Sequence, residues 1–276
     1  MPPDARPIGV FDSGIGGLTV AATILQALPT ERLLYFGDQA HLPYGQRSLE
    51  EVRGFSVAIT GALLAAGCKM IVIACNTASG AALRHLRALH PETPFVGMEP
   101  AVKPAVEHTT TGVVGVIATT ATFQSEVYAS VVERFGRGVE VLHQPCPGLV
   151  RSIESGDLDG PGTETMLRGW LEPLMARGID ALVLGCTHYP LVRPLIERIV
   201  GPGVRVIDPA PAVARQVVRL VREHGLAAPP DQQGGMVCHT TGEARAFADM
   251  MARIGMPDFP VSEVHWEANG SLRLPA

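Results

Sequence analysis

Two apolar segments of the chain end in the same way, and this repetition limits the folds that the chain can adopt. Residues 70–74 (MIVIA) lead into Cys75, and residues 181–185 (ALVLG) lead into Cys186, 111 positions further on. Each segment has the length of a buried strand and is followed by small polar side chains. Because a parallel strand is buried on both faces, it has this continuous apolar pattern. The sequence therefore predicts two parallel strands that each carry a thiol at the carboxyl end.

Strands and helices alternate along the chain. The elements predicted in its first part are strands at 8–11, 33–36 and 70–74 and helices at 17–28, 49–66 and 78–89. Strands that alternate with helices of this length indicate βαβ units and a mostly parallel sheet that is covered on both faces. The predicted fold class is therefore α/β.

The strand pattern recurs at a long period. Segment 8–11 matches 114–117 and segment 33–36 matches 139–142, both at an offset of 106, whereas the two cysteine segments match at 111. The five additional residues are assigned to the region 155–162. This period is longer than the roughly 20–50 residues of solenoid repeats. It indicates two similar α/β halves.

The chain is predicted to cross between the halves once and then to return. The proline-rich segment 93–104 is the predicted crossing, and a strand at 204–208 closes the second half. The elements predicted after it are a helix at 213–223, a strand from 236 and a helix at 242–254. The predicted domains are 5–99 with 209–276, and 100–208.

Composition narrows the class of protein further. A chain of 276 residues with 46% hydrophobic and 18% charged residues is typical of a globular protein with one or two domains. Its net charge of −5 disfavours a nucleic-acid partner, which requires a basic face. No apolar run reaches the roughly 18 residues that cross a bilayer, and residues 1–7 lack the apolar core of a signal peptide. We therefore expect a cytoplasmic protein without a membrane partner.

The numbers and positions of the cysteines and lysines indicate which cofactors the chain can use. The chain has an odd number of cysteines without Cys-x-x-Cys spacing, namely Cys68, Cys75, Cys146, Cys186 and Cys238. Reduced thiols without a metal are expected from this pattern. The two lysines are Lys69, at the starting end of a predicted strand, and Lys103, in the proline-rich segment. Neither is placed to form the Schiff base that a pyridoxal phosphate enzyme needs, so that cofactor is not expected.

Ligands of open α/β sheets bind beyond the carboxyl ends of the strands, and three sequence features stand there. The glycine-rich segment 12–17 (DSGIGG) precedes a helix, which favours a phosphate or carboxylate, with a simple glycine turn as the alternative. Cys75 begins another helix, whose N-terminus is expected to lower the pKa of the thiol. His188 is a candidate proton partner for Cys186. A single such cysteine is more often a buried apolar residue, but its duplication favours two reactive thiols.

Four motifs together resemble the glutamate racemase family. They are DSGIGGLT at 12–19, PYG at 43–45, ACNTA at 74–78 and GCTHYPL at 185–191, in the order and spacing of the family. The resemblance covers essentially the whole chain. It implies two α/β domains related by a pseudo-twofold axis, with the active site in the cleft between them. It also implies a homodimer that interconverts L- and D-glutamate without a cofactor, supplying D-glutamate for peptidoglycan and hence for the cell wall and cell shape.

The resemblance assigns roles to residues at matching motif positions. The implied catalytic residues are Cys75, Cys186, Asp12, Glu154 and His188. The implied substrate-binding residues are Asp12, Ser13, Tyr44, Gly45, Asn76, Thr77, Thr119, Thr187 and His188. By its local sequence alone, Glu154 would be interpreted as a solvated or helix-capping carboxylate. One departure stands before the PYG motif, where the family has Asp-Thr-Ala-Arg and this chain has Asp38-Gln39-Ala40-His41.

Two thiols on opposite faces of one carbon suit the inversion of a stereocentre, because one removes the α-proton while the other delivers a proton. Three alternatives remain at this point. The first is an aspartate racemase of the same superfamily. The second is a hydrolase that uses Cys186 and His188 and tolerates the loss of Cys75. The third is a two-lobed amino-acid-binding protein without catalysis.

Overall fold

The computed structural model describes residues 2–275. The strands in this range are β1 (Ile8–Asp12), β2 (Arg32–Gly37), β3 (Met70–Ile73), β4 (Phe95–Val96), β5 (Val113–Ala118), β6 (Glu140–Pro145), β7 (Ala181–Gly185), β8 (Arg205–Ile207), β9 (Gly235–Thr240) and β10 (Val261–Glu263). The α-helices are α1 (Leu18–Ala27), α2 (Leu49–Ala65), α3 (Asn76–Leu89), α4 (Val102–His108), α5 (Thr120–Phe123), α6 (Glu126–Phe135), α7 (Leu149–Glu154), α8 (Pro161–Ala176), α9 (Arg193–Val200), α10 (Ala210–Glu223) and α11 (Ala244–Arg253). None of these helices is both long and apolar enough to cross a bilayer.

The strands form two sheets in which every pairing is parallel. The first sheet has the order β10-β9-β2-β1-β3-β4 and the second has the order β6-β5-β7-β8. The predicted α/β class with two mostly parallel sheets is confirmed. The order β2-β1-β3-β4 of the first sheet recurs as β6-β5-β7-β8 in the second, so the two halves share a topology.

The internal repeat extends to the register of the strands. In the first sheet Ile8 of β1 pairs with Met70 of β3, and in the second Val114 of β5 pairs with Ala181 of β7. These pairs lie at the offsets that the sequence predicts. The two cysteine segments therefore follow equivalent strands at equivalent sheet positions.

Strand β6 departs from the predicted alignment. Ile8 pairs with Leu33 of β2, whereas Val114 pairs with Val141 of β6, so β6 is offset from β2 by two residues more than predicted. The predicted segment 139–142 is wrong by this amount. Because side chains alternate between the faces of a strand, a shift of two residues keeps the same faces. The apolar pattern alone could not distinguish the two alignments.

The chain returns to the first sheet after completing the second. β9 pairs with β2 along its whole length, and β10 extends the sheet beyond β9. The sequence predicts the start of β9 but misses β10, and it misses β4 and α4, which lie in or overlap the proline-rich crossing. The domain limits 5–99 with 209–276 and 100–208 stay a prediction, and residue 276 lies outside the described range.

The largest apolar core joins the two halves. It includes Ile15 and Leu18 from the first half together with Leu149, Ile153 and Tyr189 from the second, all of which are buried. Helices α1 and α10 also pack against each other within this core. Because this packing is continuous, the carboxyl ends of the two sheets are held next to each other.

Candidate active site

Loops that follow strands of both sheets line one small cavity. Its lining residues are Ser13, Pro43, Tyr44, Gly45, Cys75, Asn76, Thr77, Thr119, Val150, Cys186, Thr187 and His188. The structure thus brings most of the predicted site residues together, including both repeated cysteines. Asp12 and Glu154 stand outside the lining and contact it from behind. This position, at the carboxyl ends of parallel strands, is where α/β sheets bind ligands.

Cys75 is the N-cap residue of α3, and its surroundings favour the protonated thiol. Its Sγ accepts a hydrogen bond from the N–H of Ala78 at 3.5 Å. Burial, together with the neighbouring carboxyl group of Asp12, raises the pKa of Cys75 well above its ordinary range. The helix N-terminus acts in the opposite direction but does not prevail. The predicted lowering of this pKa is therefore wrong.

Cys186 stands at one end of a chain of three polar side chains. Its Sγ lies 3.9 Å from Nδ1 of His188, and Nε2 of His188 lies 2.6 Å from Oε1 of Glu154. Burial opposes the charge of His188, but its hydrogen bonds to Cys186 and Glu154 and the charge of Asp12 raise its pKa well above the ordinary value. A protonated imidazole donates from both nitrogens. It can therefore donate to the sulfur of Cys186 and to Glu154 at the same time.

Glu154 ends α7, and its side chain is only 8% exposed. Its Oε1 accepts a hydrogen bond from the N–H of Ile15 at 2.8 Å, and its Oε2 accepts one from Nε2 of Gln39 at 2.9 Å. Burial opposes ionisation, but these bonds and His188 outweigh it and lower the pKa of Glu154. The interpretation of Glu154 as a solvated or capping carboxylate is wrong, because the helix ends inside the protein.

The glycine-rich segment 12–17 contacts a carboxylate of the protein itself. The N–H of Ile15 donates to Glu154, which belongs to the other half of the repeat. A Cβ added to Gly14 would overlap this carboxylate, and one added to Gly16 would lie 2.5 Å from Nδ1 of His188. The sequence predicts a phosphate or carboxylate ligand at this segment, whereas in the structure the N–H of Ile15 is occupied by the side chain of Glu154. Glycine is required here for the close approach of the two halves.

The close approach at Gly16 leads to a prediction. We expect Gly16→Ala to displace the ring of His188 and to lower the rate of any reaction that uses the Cys186–His188 pair by roughly 100-fold, because about 1 Å of misplacement has this cost. Steady-state kinetics and a thermal melt would measure it. Gly54→Ala is the matched control, since a Cβ at this exposed helical position meets no atom within 4 Å. Full activity of a folded Gly16→Ala variant would contradict the prediction.

Asp12 ends β1 and links the loops of the two halves. Its Oδ2 accepts the N–H of Gly17 at 2.9 Å, and its Oδ1 accepts a longer bond from Oγ1 of Thr187 at 3.4 Å. Burial raises the pKa of Asp12, while the charge of His188 and the N–H groups of Gly17 and Ser13 oppose this shift. A carboxyl group with a raised pKa beside Cys75 can exchange a proton with that thiol.

Asn76 presents an unpaired amide to the cavity. The side chain is buried, and within the described residues neither its Nδ2 nor its Oδ1 has a hydrogen-bond partner. An unsatisfied buried polar group costs about 1–3 kcal/mol. The donor and acceptor of Asn76 are therefore available to a polar ligand.

Three threonine hydroxyl groups bond to one another beside the cavity, at the contact between the two halves. Oγ1 of Thr77 lies 3.0 Å from that of Thr119 and 3.2 Å from that of Thr122, and the latter two are 2.9 Å apart. A Cβ added to Gly45 would lie 2.5 Å from Cβ of Thr119, so this wall is tightly packed. None of the sequence motifs singles out Thr122. The only local sign of it is the spacing Thr119-x-x-Thr122, in which Thr119 caps the short helix α5.

Asp38 anchors the loop that carries Tyr44. Its Oδ2 accepts bonds from the hydroxyl group of Tyr44 at 2.7 Å and from His41 at 2.9 Å, and its Oδ1 accepts one from Nε1 of Trp266 at 2.8 Å. His41 also stacks on Phe55 with 3.9 Å between ring centroids. The hydroxyl group of Tyr44 is thus engaged outside the cavity, and the ring contributes to the wall.

The remaining cysteines are free and buried outside this cavity. Burial raises the pKa of Cys68 and of Cys238 to about 12 in each case. It also raises the pKa of Cys146 above its ordinary range. Among residues 2–275, no group of three or more His, Cys, Asp and Glu side chains has the arrangement of a metal site.

Comparison with known proteins assigns this fold and cavity to a class. The model of the Asp/Glu/Hydantoin racemase family matches residues 8–217, and the chain belongs to this family of racemases. Within this family, the chain belongs to the glutamate racemases, which are isomerases. The glutamate racemase of Roseiflexus sp. (strain RS-1) is 49% identical over 254 residues, 92% of this chain and 93% of the relative. That of Ectopseudomonas mendocina (strain ymp) is 53% identical over 222 residues, 80% of this chain and 84% of the relative.

Solved structures agree with this assignment. A glutamate racemase isoform from Bacillus anthracis has a TM-score of 0.86 at 34% identity, covering 94% of this chain and 97% of its own. The glutamate racemase of Francisella tularensis, solved in complex with D-glutamate, has a TM-score of 0.83 at 32% identity, covering 95% and 98% of the two chains. Both are proteins of two α/β domains, as the sequence predicts for this chain.

Proposed function

We propose that this chain interconverts L-glutamate and D-glutamate without a cofactor, with Cys75 and Cys186 as the two acid/base groups. The observation that carries the proposal is that the cysteines of two equivalent strands line one cavity in opposite electrostatic surroundings. The carboxyl group of Asp12 and burial favour the thiol form of Cys75. Beside Cys186 stands His188, whose pKa is raised and whose Nδ1 can donate a hydrogen bond to the sulfur. Two-base racemisation needs one thiol and one thiolate, and in this proposal Cys186 is the proton acceptor.

The proton transfers balance across one turnover. The thiolate of Cys186 removes the α-proton from one face of glutamate, which leaves a carbanion and a Cys186 thiol. Cys75 then delivers its proton to the opposite face and becomes a thiolate. The reverse direction exchanges the two roles. Asp12 beside Cys75, and His188 with Glu154 beside Cys186, are placed to restore the starting protonation state.

Polar groups of the cavity wall would hold the substrate. None of the lining residues is Lys or Arg, so the carboxylates of glutamate would be bound by neutral donors and by the charge of His188. The unpaired amide of Asn76 is the clearest such donor, and Ser13, Thr77, Thr119 and Thr187 border the same space. Preorganised donors in a dry cavity stabilise developing negative charge better than water does.

One observation favours the alternative of a Cys/His hydrolase, because Cys186, His188 and Glu154 form a thiol–imidazole–carboxylate series. A hydrolase of this kind needs one thiol, and it gives no reason for a second one at the equivalent strand end. The relatives named above as glutamate racemases also favour proton transfer. An aspartate racemase would share both thiols, and substrate comparison distinguishes it.

The test is incubation with L-glutamate, and separately with L-aspartate, in D2O without an added cofactor. We expect L-glutamate to lose optical rotation and to gain deuterium at Cα, with slower change or none for L-aspartate. Faster change of L-aspartate would assign the aspartate activity instead. Absence of deuterium uptake from both substrates would exclude the two-thiol function and favour a binding protein.

The cellular role that we propose is supply of D-glutamate for peptidoglycan, and hence for the cell wall and cell shape, by a cytoplasmic homodimer. This proposal rests on the family to which the chain belongs. Depletion of the protein in its own cells should then arrest growth unless D-glutamate is added, with L-glutamate as the control. Sedimentation of the purified protein would measure the oligomeric state.

A further inference from the structure

A chain of hydrogen bonds joins the C-terminal part of the protein to the candidate site through Gln39. The N–H of Gly242 donates to Oγ1 of Thr240 at 3.0 Å, and Oγ1 of Thr240 donates to Oε1 of Gln39 at 2.8 Å. Nε2 of Gln39 then donates to Oε2 of Glu154 at 2.9 Å. Gln39 is one of the residues at which this chain departs from the family pattern, and the family resemblance gives it no role.

The direction of these bonds fixes the orientation of the Gln39 amide. Because Oγ1 of Thr240 accepts from Gly242, its own hydrogen is free to point at Gln39, and an amide accepts only through its oxygen. The NH2 group of Gln39 must then face Glu154, where it needs an acceptor. The position is also confined sterically, since a Cβ added to Gly242 would overlap the amide oxygen of Gln39.

Gln39 donates to the carboxylate oxygen of Glu154 that does not contact His188 or Ile15. Oε1 of Glu154 bonds to Nε2 of His188 and to the N–H of Ile15, whereas Oε2 receives its hydrogen bond from Gln39. A carboxylate that is bonded through both oxygens cannot rotate about its terminal torsion, which is otherwise broad. The bond from Gln39 therefore keeps Oε1 in line with His188.

We propose that Gln39 is a positioning residue, which fixes the carboxylate of Glu154 against His188 and so maintains the proton transfer at Cys186. This proposal rests on the proposed two-thiol function and assigns one further residue to it. Gln39 would act through Glu154 and touches neither thiol. The link to Thr240 would also make the conformation of the C-terminal strand β9 a determinant of the reactivity of Cys186.

The charged and titratable groups around Glu154 come from several elements. They are His188 after β7 and Tyr35 on β2, with Asp12 at the end of β1 and Cys186 beside His188. Arg253, at the end of α11, donates to the carbonyl group of Gly156 at 2.7 Å. Loss of the Gln39 donor leaves these groups in place. The pKa of Glu154 should then rise, because one donor to its ionised form is lost.

The sign of the pH effect follows from this change. A carboxylate with a raised pKa becomes protonated at a higher pH, so activity that needs ionised Glu154 is lost earlier as the pH falls. In Gln39→Leu we expect kcat/KM to fall roughly tenfold and the acidic limb of its pH profile to move up by roughly one pH unit. Because the two enantiomers are equally stable, the fall must be equal in both directions.

Three further variants make the test specific. Gln39→Glu places a second carboxylate beside Glu154 and should move the acidic limb further in the same direction. Thr240→Val keeps the shape of the side chain but removes its hydrogen bond to Gln39, so it should give a smaller shift of the same sign. Gln232→Leu is the matched control, since this half-buried glutamine donates to the carbonyl group of Thr30 at 3.0 Å and has no contact with Glu154.

The outcomes separate this proposal from the function on which it rests. A pH profile of Gln39→Leu that matches Gln232→Leu would overturn the proposal, as would a lower rate with an unmoved acidic limb. If Gln39→Leu does not fold, an unshifted profile of Thr240→Val would overturn it equally. Racemisation that survives Cys186→Ala would instead remove the two-thiol function, whatever Gln39 does.

Discussion

Cys75→Ala and Cys186→Ala are each expected to reduce the racemisation of glutamate by roughly 10³-fold, the usual contribution of a positioned acid or base. The effect should be large at both positions if each face of the α-carbon is served by one thiol, as we propose. Circular dichroism at fixed substrate concentration measures the rate. Both side chains are small and line a cavity, so the variants should remain folded.

The two variants should also differ from each other in a way that only opposed thiols explain. A protein with one remaining thiolate can still remove the α-proton from one face and return a deuteron to the same face. In D2O, each variant should therefore exchange the α-hydrogen of a different enantiomer without inverting it. Exchange of the same enantiomer by both variants would contradict the opposed arrangement.

Cys238→Ala is the matched control for these measurements. Cys238 is fully buried in β9 and lies outside the cavity lining. We expect it to lose some stability and to keep both racemisation and exchange. If Cys238→Ala lost as much racemisation as Cys75→Ala, the effect of removing a thiol would come from disturbed packing of the protein and not from loss of an acid/base group.

The sequence is sufficient to predict the two thiols and their equivalent frames. A buried strand and the residue that follows it are local features, so the positions of Cys75 and Cys186 at sheet edges follow from about seven residues each. The repeat also predicts that the two halves share a topology, because strands with the same sequence pattern occupy equivalent positions in the two sheets. The two-residue shift of β6 could not be predicted, because it leaves the alternation of side chains between the two faces of the strand unchanged.

The surroundings of the thiols could not be predicted in the same way. Cys75 has the local signature of a lowered pKa, but burial and Asp12 reverse the direction, and both effects depend on the packed structure. Glu154 lies 32 residues before Cys186 and reaches His188 only because α7 ends against the glycine-rich segment. Gln39 contacts Glu154 across 115 positions of sequence. Long-range contacts of this kind leave no periodic signal in the chain.

Lys69→Met is expected to destabilise the protein by about 3–5 kcal/mol, the usual effect of removing one partner of a buried ion pair. Nζ of Lys69 lies 2.7 Å from Oε2 of Glu31, and the two side chains are 0% and 1% exposed. Lys69 also donates to the carbonyl group of Asp4 at 2.7 Å, and Glu31 accepts the N–H of Ala228 at 2.9 Å. The variant would leave a buried carboxylate without its counter-ion.

Urea unfolding measures this change as a shift of the midpoint at constant slope. Lys103→Met is the matched control, because Lys103 lies 3.6 Å from Glu107 in a pair whose side chains are 57% and 58% exposed. Exposed pairs contribute at most about 1 kcal/mol. Equal midpoints for the two variants would contradict the prediction. The double variant Lys69→Met with Glu31→Gln should recover part of the loss, since it no longer buries an unpaired charge.

The position of the Lys69 pair separates its role from that of the two thiols. Lys69 directly precedes β3, whereas Cys75 follows the carboxyl end of the same strand. The free energy of unfolding should therefore fall in Lys69→Met while kcat/KM per folded molecule stays close to that of the parent protein. A fall of kcat/KM at a temperature where the variant is fully folded would mean that the ion pair also sets the geometry of the cavity. In that case the β3 strand would transmit a disturbance from its amino end to Cys75.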